Sequence, residues 1–201
     1  DKDILVVFQK IVSKSENRIV KLSNVIPSEE AIKISRITGK DPRFVELVLR
    51  ESVKVLKVKE GHLIVKTKQG IVCANAGIDK SNVEGEDYVV LLPEDPDLSA
   101  EKIRKHIENR TNKRIGVIIS DTYGRPLREG QINLAIGCSG IKVFNDYRGK
   151  KDRYGYVLRI KNIAIADEIA SAAELVMGQA DESVPVAIVR GLDILSEGEK
   201  G

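Results

Sequence analysis

Two aspartates carry the first chemical possibility. Asp79 comes shortly after the strand-like run 71–74, within Gly77-Ile78-Asp79, and Asp121 follows the apolar run 115–119, within Ile119-Ser120-Asp121-Thr122. Sites in α/β folds collect at strand ends. Carboxylates flanked by hydroxyls and amides are hard oxygen ligands suited to Mg²⁺ or Mn²⁺. The same residues could simply cap turns, the commoner role of an Asp after a strand, and pattern alone leaves both roles open. Arg125 and Arg128 bracket Pro126 just after Asp121, and Lys14 lies early in the chain. Cations beside a metal are what a nucleotide or phosphorylated substrate needs, although each one singly reads as solvated surface charge. The string Gly178-Gln179-Ala180-Asp181-Glu182-Ser183 offers amides, hydroxyls and two acids, and by itself is an ordinary helix-to-strand loop. No G-x-x-x-x-G-K-[ST] occurs, and no G-x-G-x-x-G follows a strand. Gly137-Cys138-Ser139-Gly140 lacks the spacing of a serine-hydrolase elbow, and Cys138 reads as a structural thiol.

The elements that must position these residues follow from periodicity and punctuation. Residues 4–8 predict a strand, and the polar stretch 10–18 a loop flanked by strand. Pro27-Ser28-Glu29-Glu30 predicts a helix start with acids in its first turn, and Gly39 its stop. Asp41-Pro42 reads as an N-cap followed by proline at the first helical position, for a helix to about Ser52 with Phe44, Val45, Val48 and Leu49 on one face. Strands are expected over 53–58, 63–67, 71–74 and 88–92, with a turn at Lys68-Gln69-Gly70. Asp97 is expected to cap a helix from Leu98 to about Thr111. The run 115–119 reads as a strand buried on both faces that ends at 120–126. Strands over 132–136 and 157–163 follow, with a glycine-rich link between Gly137 and Gly140. A helix over 166–177 carries Ile169, Ala173 and Val176 as its stripe, and 186–189 is a last buried strand. With no repeat or linker, the chain reads as one mixed unit over 1–201, of class α/β (α+β).

Composition bounds the function. In 201 residues, 42% apolar and 31% charged describe a globular chain rather than a disordered one. No apolar run approaches the ~20 residues that span a bilayer, and no secretory signal opens the chain, so no membrane partner is expected. Two cysteines make no disulfide framework and point to a reducing cytoplasm. Two histidines sit in no zinc spacing. A net charge of +3 with no Trp argues against nucleic acid and suits small anionic substrates. The chain opens on Asp1 rather than Met, which suggests a preceding segment, and residues 196–201 read as a frayed or truncated tail.

Several strings, in order, go beyond composition. They are Asn75-Ala76-Gly77-Ile78-Asp79-x-Ser81-Asn82, Leu91-Leu92-Pro93-x-Asp95-Pro96-Asp97-x-Ser99-Ala100 and Asp121-Thr122-x-Gly124-Arg125-Pro126-x-Arg128. Ala135-Ile136-Gly137-x-Ser139-Gly140, Tyr147-x-Gly149-x-x-Asp152-x-x-Gly155, Ala166-Asp167-Glu168-Ile169-Ala170 and Val189-Arg190-Gly191-Leu192 continue the series. Together they resemble the CofE family, the coenzyme F420-0:L-glutamate ligases, over nearly the whole chain. The resemblance implies mixed β-sheets with flanking helices, a homodimer, and an amide ligase using GTP with Mg²⁺ or Mn²⁺, and K⁺ as a further cation. It implies that L-glutamate is joined to the deazaflavin precursor F420-0.

Carried over by position, Asp79, Asp121 and Thr122 match metal-holding residues, and Gln179 falls where some members have a metal-binding Glu. An amide oxygen at Gln179 still ligates, with less charge. Lys14 and Asn82 match nucleotide contacts, as does the loop of Met177, Gly178, Gln179, Ala180, Asp181, Glu182, Ser183 and Val184. Gln9 and Lys10 stand where a relative has small hydroxyl residues near the nucleotide. The carboxylate of F420-0 is a poor electrophile, so phosphoryl transfer from GTP to an acyl phosphate is the expected route, with metal on Asp79 and Asp121 offsetting charge. Arg125 and Arg128 are the candidates for holding anionic substrate groups. The competing readings are a metal-dependent phosphatase or nucleotidyl transferase, and a non-catalytic nucleotide-binding domain.

Overall fold

The computed structural model describes residues 2–83, 85–196 and 198. Most of the predicted tail, with Asp1 and Glu84, lies outside the described residues. The chain groups into two compact units, residues 9–94 and residues 1–8 with 95–201. Mixed helices and sheets in both give the expected α+β content. Among the described residues no helix is long and apolar enough to cross a membrane.

The chain enters on β1 (Ile4–Phe8) and passes at once into α1 (Gln9–Ser15), where the sequence suggests a loop. The helix survives its polar composition because its polar groups find internal partners. Val12 and Ser13 are buried, and the Ser13 hydroxyl donates to Gln9 Oε1 at 2.9 Å.

In the unit 9–94, β2 (Ile19–Lys21) is followed by α2 (Glu29–Thr38) and α3 (Pro42–Arg50). The expected punctuation holds. The Ser28 side chain accepts from the Ala31 N–H, Gly39 closes α2 in the left-handed region at φ 71°, and Asp41 caps α3 ahead of Pro42. The strands β3 (Ser52–Lys59), β4 (His62–Thr67) and β5 (Val72–Ala74) form an antiparallel sheet, and β6 (Tyr88–Val90) pairs with β2. One core runs through this unit, with Val45, Val48, Leu63, Val65 and Val89 all fully buried.

In the other unit α4 (Pro96–Thr111) is capped by Asp95, not by Asp97 as expected. Asp95 accepts from the Leu98 N–H, while Asp97 reaches across to accept the Cys138 N–H at 2.8 Å. The strand β7 (Gly116–Gly124) outlasts its apolar run by five residues, and β8 (Gln131–Ser139) runs straight through Gly137. Pairing in the hairpin ladder carries the polar residues, with a bulge between Ile119 and Ser120.

Of the strand expected over 157–163 only β10 (Asn162–Ile163) exists, paired with β9 (Asn145–Asp146). The apolar residues that suggested it have no core to enter, and Val157 and Ile160 are 42% and 91% exposed. The helix α5 (Ile165–Met177) is present with its buried stripe at Ile169, Ala173 and Met177, whereas Val176 faces solvent. Last comes β11 (Val186–Val189). The sheet order is β11-β1-β7-β8, with only β1 and β7 parallel. This makes β11 an edge strand rather than the buried one expected, and Ile188 lies exposed on it.

Candidate functional site

In the unit 9–94 the chain makes a left-handed turn ahead of Asp79. Asn75, Ala76 and Gly77 all have positive φ (54°, 56° and 68°), a costly conformation for Ala76. A Cβ at Gly77 would stand 2.8 Å from the Leu92 side chain. The turn delivers Asp79 into a two-way backbone bridge with Val90, at 3.0 and 2.9 Å. Its carboxylate is then surrounded. Oδ1 accepts from the Ser81 N–H at 2.8 Å, and Oδ2 accepts from the Ser81 hydroxyl and from Lys10 Nζ, each at 2.8 Å. Burial raises the Asp79 pKa, but Lys10 and Ser81 outweigh it and leave the carboxyl below its usual range. One helical turn on from Lys10, Lys14 Nζ donates to the Asn82 carbonyl at 2.6 Å. Lys14 and Asn82, each matched by family position to a nucleotide contact, thus touch one another.

The other unit gathers Thr122 and Gln179. The Thr122 hydroxyl donates to Gln179 Oε1 at 2.9 Å and faces Asn133 Oδ1 at 3.3 Å. Gln179 Nε2 donates to Asn133 Oδ1 at 2.9 Å and to Glu174 Oε1 at 2.8 Å. Those two acceptors fix the amide so that its oxygen faces Thr122. Asn133 is fully buried opposite Thr122 in the β7–β8 ladder, and its Nδ2 and the Ser120 Oγ are buried atoms without a partner among the described residues. Asp121 is paired with Leu134, so the pleat turns its side chain to the opposite sheet face from Thr122. Thr122 could join an ion on that opposite face through its carbonyl and not through its hydroxyl.

The remaining candidates are spread. The Arg125 guanidinium donates to the Glu129 carbonyl, closing the β7–β8 connection, and Arg128 is exposed. In the loop 177–184, Met177 is a core residue at 1% exposure, so only its backbone is available to a ligand. Gly178, Gln179, Ala180, Asp181, Glu182, Ser183 and Val184 continue from it. Within this loop the Glu182 carboxylate bends back to accept the Ala180 N–H at 2.8 Å. Backbone N–H groups, led by that of Ala180, hold its carboxyl below the usual range.

These oxygens are of the type a hard divalent ion takes, and at Asp79 and Ser81 a cation, the Lys10 ammonium, already stands among them. Among the described residues no three His, Cys, Asp or Glu side chains gather as a metal-binding group. An ion held by one or two carboxylates would complete its shell with other protein oxygens, water or substrate phosphate. Sequence reasoning set Lys10 near the nucleotide by family position but did not foresee its pairing with Asp79, and it missed Asn133. With 10–18 read as a loop, the spacing of Lys10 and Lys14 at i and i+4 could not be recognised as one helix face. Asn133 is signalled only as the single polar residue within Ile132-Asn133-Leu134-Ala135-Ile136.

The comparisons with known proteins agree with the strings read above. The family model described as F420-0:Gamma-glutamyl ligase matches residues 1–191. The chain is similar to the coenzyme F420:L-glutamate ligase of Methanocaldococcus jannaschii, with 47% identity over all of this chain and 80% of the relative. It is similar also to the protein of that name in Methanothermobacter thermautotrophicus, with 48% identity over 95% of this chain and 75% of the relative. With the Archaeoglobus fulgidus protein of that name the identity is 48% over 98% of this chain and 79% of the relative. With its motifs in order and matched along almost its whole length, the chain belongs to the F420-0:Gamma-glutamyl ligase family, a family of carbon–nitrogen ligases.

Proposed function

We propose that this chain is a GTP-dependent amide ligase that adds L-glutamate to coenzyme F420-0 through an acyl phosphate, in coenzyme F420 biosynthesis. The family match over residues 1–191 carries the reading. In the first step a carboxylate oxygen of F420-0 takes the γ-phosphoryl group and GDP leaves. In the second the glutamate nitrogen attacks the acyl carbon, phosphate leaves, and the nitrogen gives up a proton. Each unit carries its own candidates for nucleotide contact by family position, Lys14 and Asn82 in one and the loop 177–184 in the other, and the exposed Arg128 is a candidate for an anionic substrate group. The candidate oxygens for Mg²⁺ or Mn²⁺ are Asp79 with Ser81 in one unit and, in the other, Asp121 on one face of β7 and Thr122 with Gln179 on the opposite face. When bound, such an ion neutralises the repulsion between triphosphate and carboxylate.

The test is release of GDP and phosphate by the purified chain. Release that requires F420-0 and glutamate together, with equimolar amide formed, is the expected result. Phosphate from GTP alone would make it a hydrolase, and GTP binding without turnover a binding domain.

A further inference from the structure

We infer that Lys10 sets the cation affinity at Asp79 by holding its own ammonium in the position of a divalent ion. The inference rests on the proposed reading of Asp79 as a metal-holding residue. Lys10 Nζ lies 2.8 Å from Asp79 Oδ2 and 2.7 Å from Ser81 Oγ, so it takes two of the oxygens a hard cation would use there. The Lys10 side chain as a whole is the more buried partner, 20% exposed against 44% for Asp79. Asp79 thus keeps an exposed side while Lys10 is in place.

Nor can this cation diffuse away. Lys10 sits on α1, and Lys14 on the same helix face is tied to the Asn82 carbonyl at 2.6 Å, which keeps the helix against the 79–82 turn. A tethered ligand competes at high effective concentration. An incoming divalent ion must therefore displace Lys10 from Asp79 Oδ2 and Ser81 Oγ. The displaced ammonium, with three donors and no acceptor, is then available to an anionic phosphate. Metal and anionic ligand are coupled through one side chain, each favouring the other's binding.

The test is Mn²⁺ binding to the full chain, followed by electron paramagnetic resonance of free Mn²⁺, with no nucleotide or F420-0 present. An opposite charge beside a carboxylate alters its affinity for a proton by about tenfold or more, and the same scale applies to a metal. Lys10→Met should bind Mn²⁺ about tenfold or more tightly than the wild type, and the gain should vanish in Lys10→Met/Asp79→Asn. Lys10→Arg, which keeps the charge, should stay within about threefold of the wild type. Lys10→Gln is measured beside Lys10→Met, each with a thermal melt, so that a folding defect in one leaves the comparison intact. Wild-type Mn²⁺ affinity in folded Lys10→Met and Lys10→Gln would overturn the inference, as would a gain that survives Asp79→Asn. Ligation with unchanged Mn²⁺ affinity in these variants overturns it and leaves the proposed reaction standing. Tighter Mn²⁺ binding in a chain that never ligates glutamate supports the inference and removes that reaction.

Discussion

Cys138 and Gln179 show how neighbours decide what one residue can do. Burial, with Asp97 and Asp167 adding negative charge, pushes the Cys138 thiol up to about 12. The native chain should therefore leave Cys138 unlabelled by iodoacetamide at pH 8, and label it once unfolded, as mass spectrometry of the peptide would show. The linkage runs in one direction. A thiol pKa raised in the folded state leaves stability whole below the unfolded value, near 9, and erodes it as pH climbs towards 12, because only the unfolded chain ionises in that window. Denaturant midpoints that rose over that window would contradict the assignment. At Gln179 the neighbours are acceptors. Gln179→Glu replaces the donor that serves Asn133 Oδ1 and Glu174 Oε1 with an anion, so two hydrogen bonds are lost and like charges meet. The variant should lose about 1–3 kcal/mol without metal. Because the new carboxylate is a stronger ligand, Mn²⁺ should raise its melting temperature more than that of the wild type. Equal shifts in both proteins would take Gln179 out of the metal site.

Elements hold these residues only where their own packing permits. At Gly137 in β8 a Cβ would lie within 2.5 Å of the Pro96 carbonyl oxygen, so the first turn of α4 must move if any side chain is added. Gly137→Ala should cost about 1–3 kcal/mol of stability, on the scale of overpacking a rigid backbone contact. Ser28→Ala removes only the cap of α2 and should cost about 1 kcal/mol. Urea titrations that ranked these two the other way would mean that the α4–β8 contact is softer than its geometry. The helix start at Pro27-Ser28-Glu29-Glu30, the Asp41-Pro42 start and the stop at Gly39 were legible because each rests on residues within four positions of one another. α1 was not, because the partners of Lys10 and Lys14 lie 69 and 68 residues away and local composition cannot show them. The strand expected over 157–163 failed for the opposite reason, since its apolar residues suggested burial and the fold supplies none. At the site, the aspartates were legible from their type and from motif order. The opposite facing of Asp121 and Thr122 needed the register of β7, which is fixed by pairing with β8.

The whole chain carries a net charge of +3, and its unit of residues 95–201 leaves large apolar side chains in solvent. Leu127, Tyr154, Ile160 and Leu175 are 104%, 92%, 91% and 87% exposed, and Val176 beside Leu175 is also exposed. Scattered apolar side chains need no explanation, but adjacent ones on a single helix form the start of a patch. The stripe of α5 that serves its own core is Ile169, Ala173 and Met177, so Leu175 and Val176 add nothing to folding. If the chain forms the homodimer that the family resemblance implies, this helix face is a candidate for the contact, and a stable pair buries on the order of 1,600 Å². Light scattering at micromolar concentration should give about twice the chain mass of 22.2 kDa. Leu175→Glu tests the helix face itself. Its buried neighbours are untouched, so the thermal melt of the monomer should stay near normal, while a buried unpaired carboxylate would oppose the contact. If α5 lies at the interface, the variant shifts towards 22.2 kDa and melts with less dependence on protein concentration. A wild type that scatters as 22.2 kDa would dismiss the dimer, and a Leu175→Glu variant that still scatters at twice that mass would move the interface away from α5.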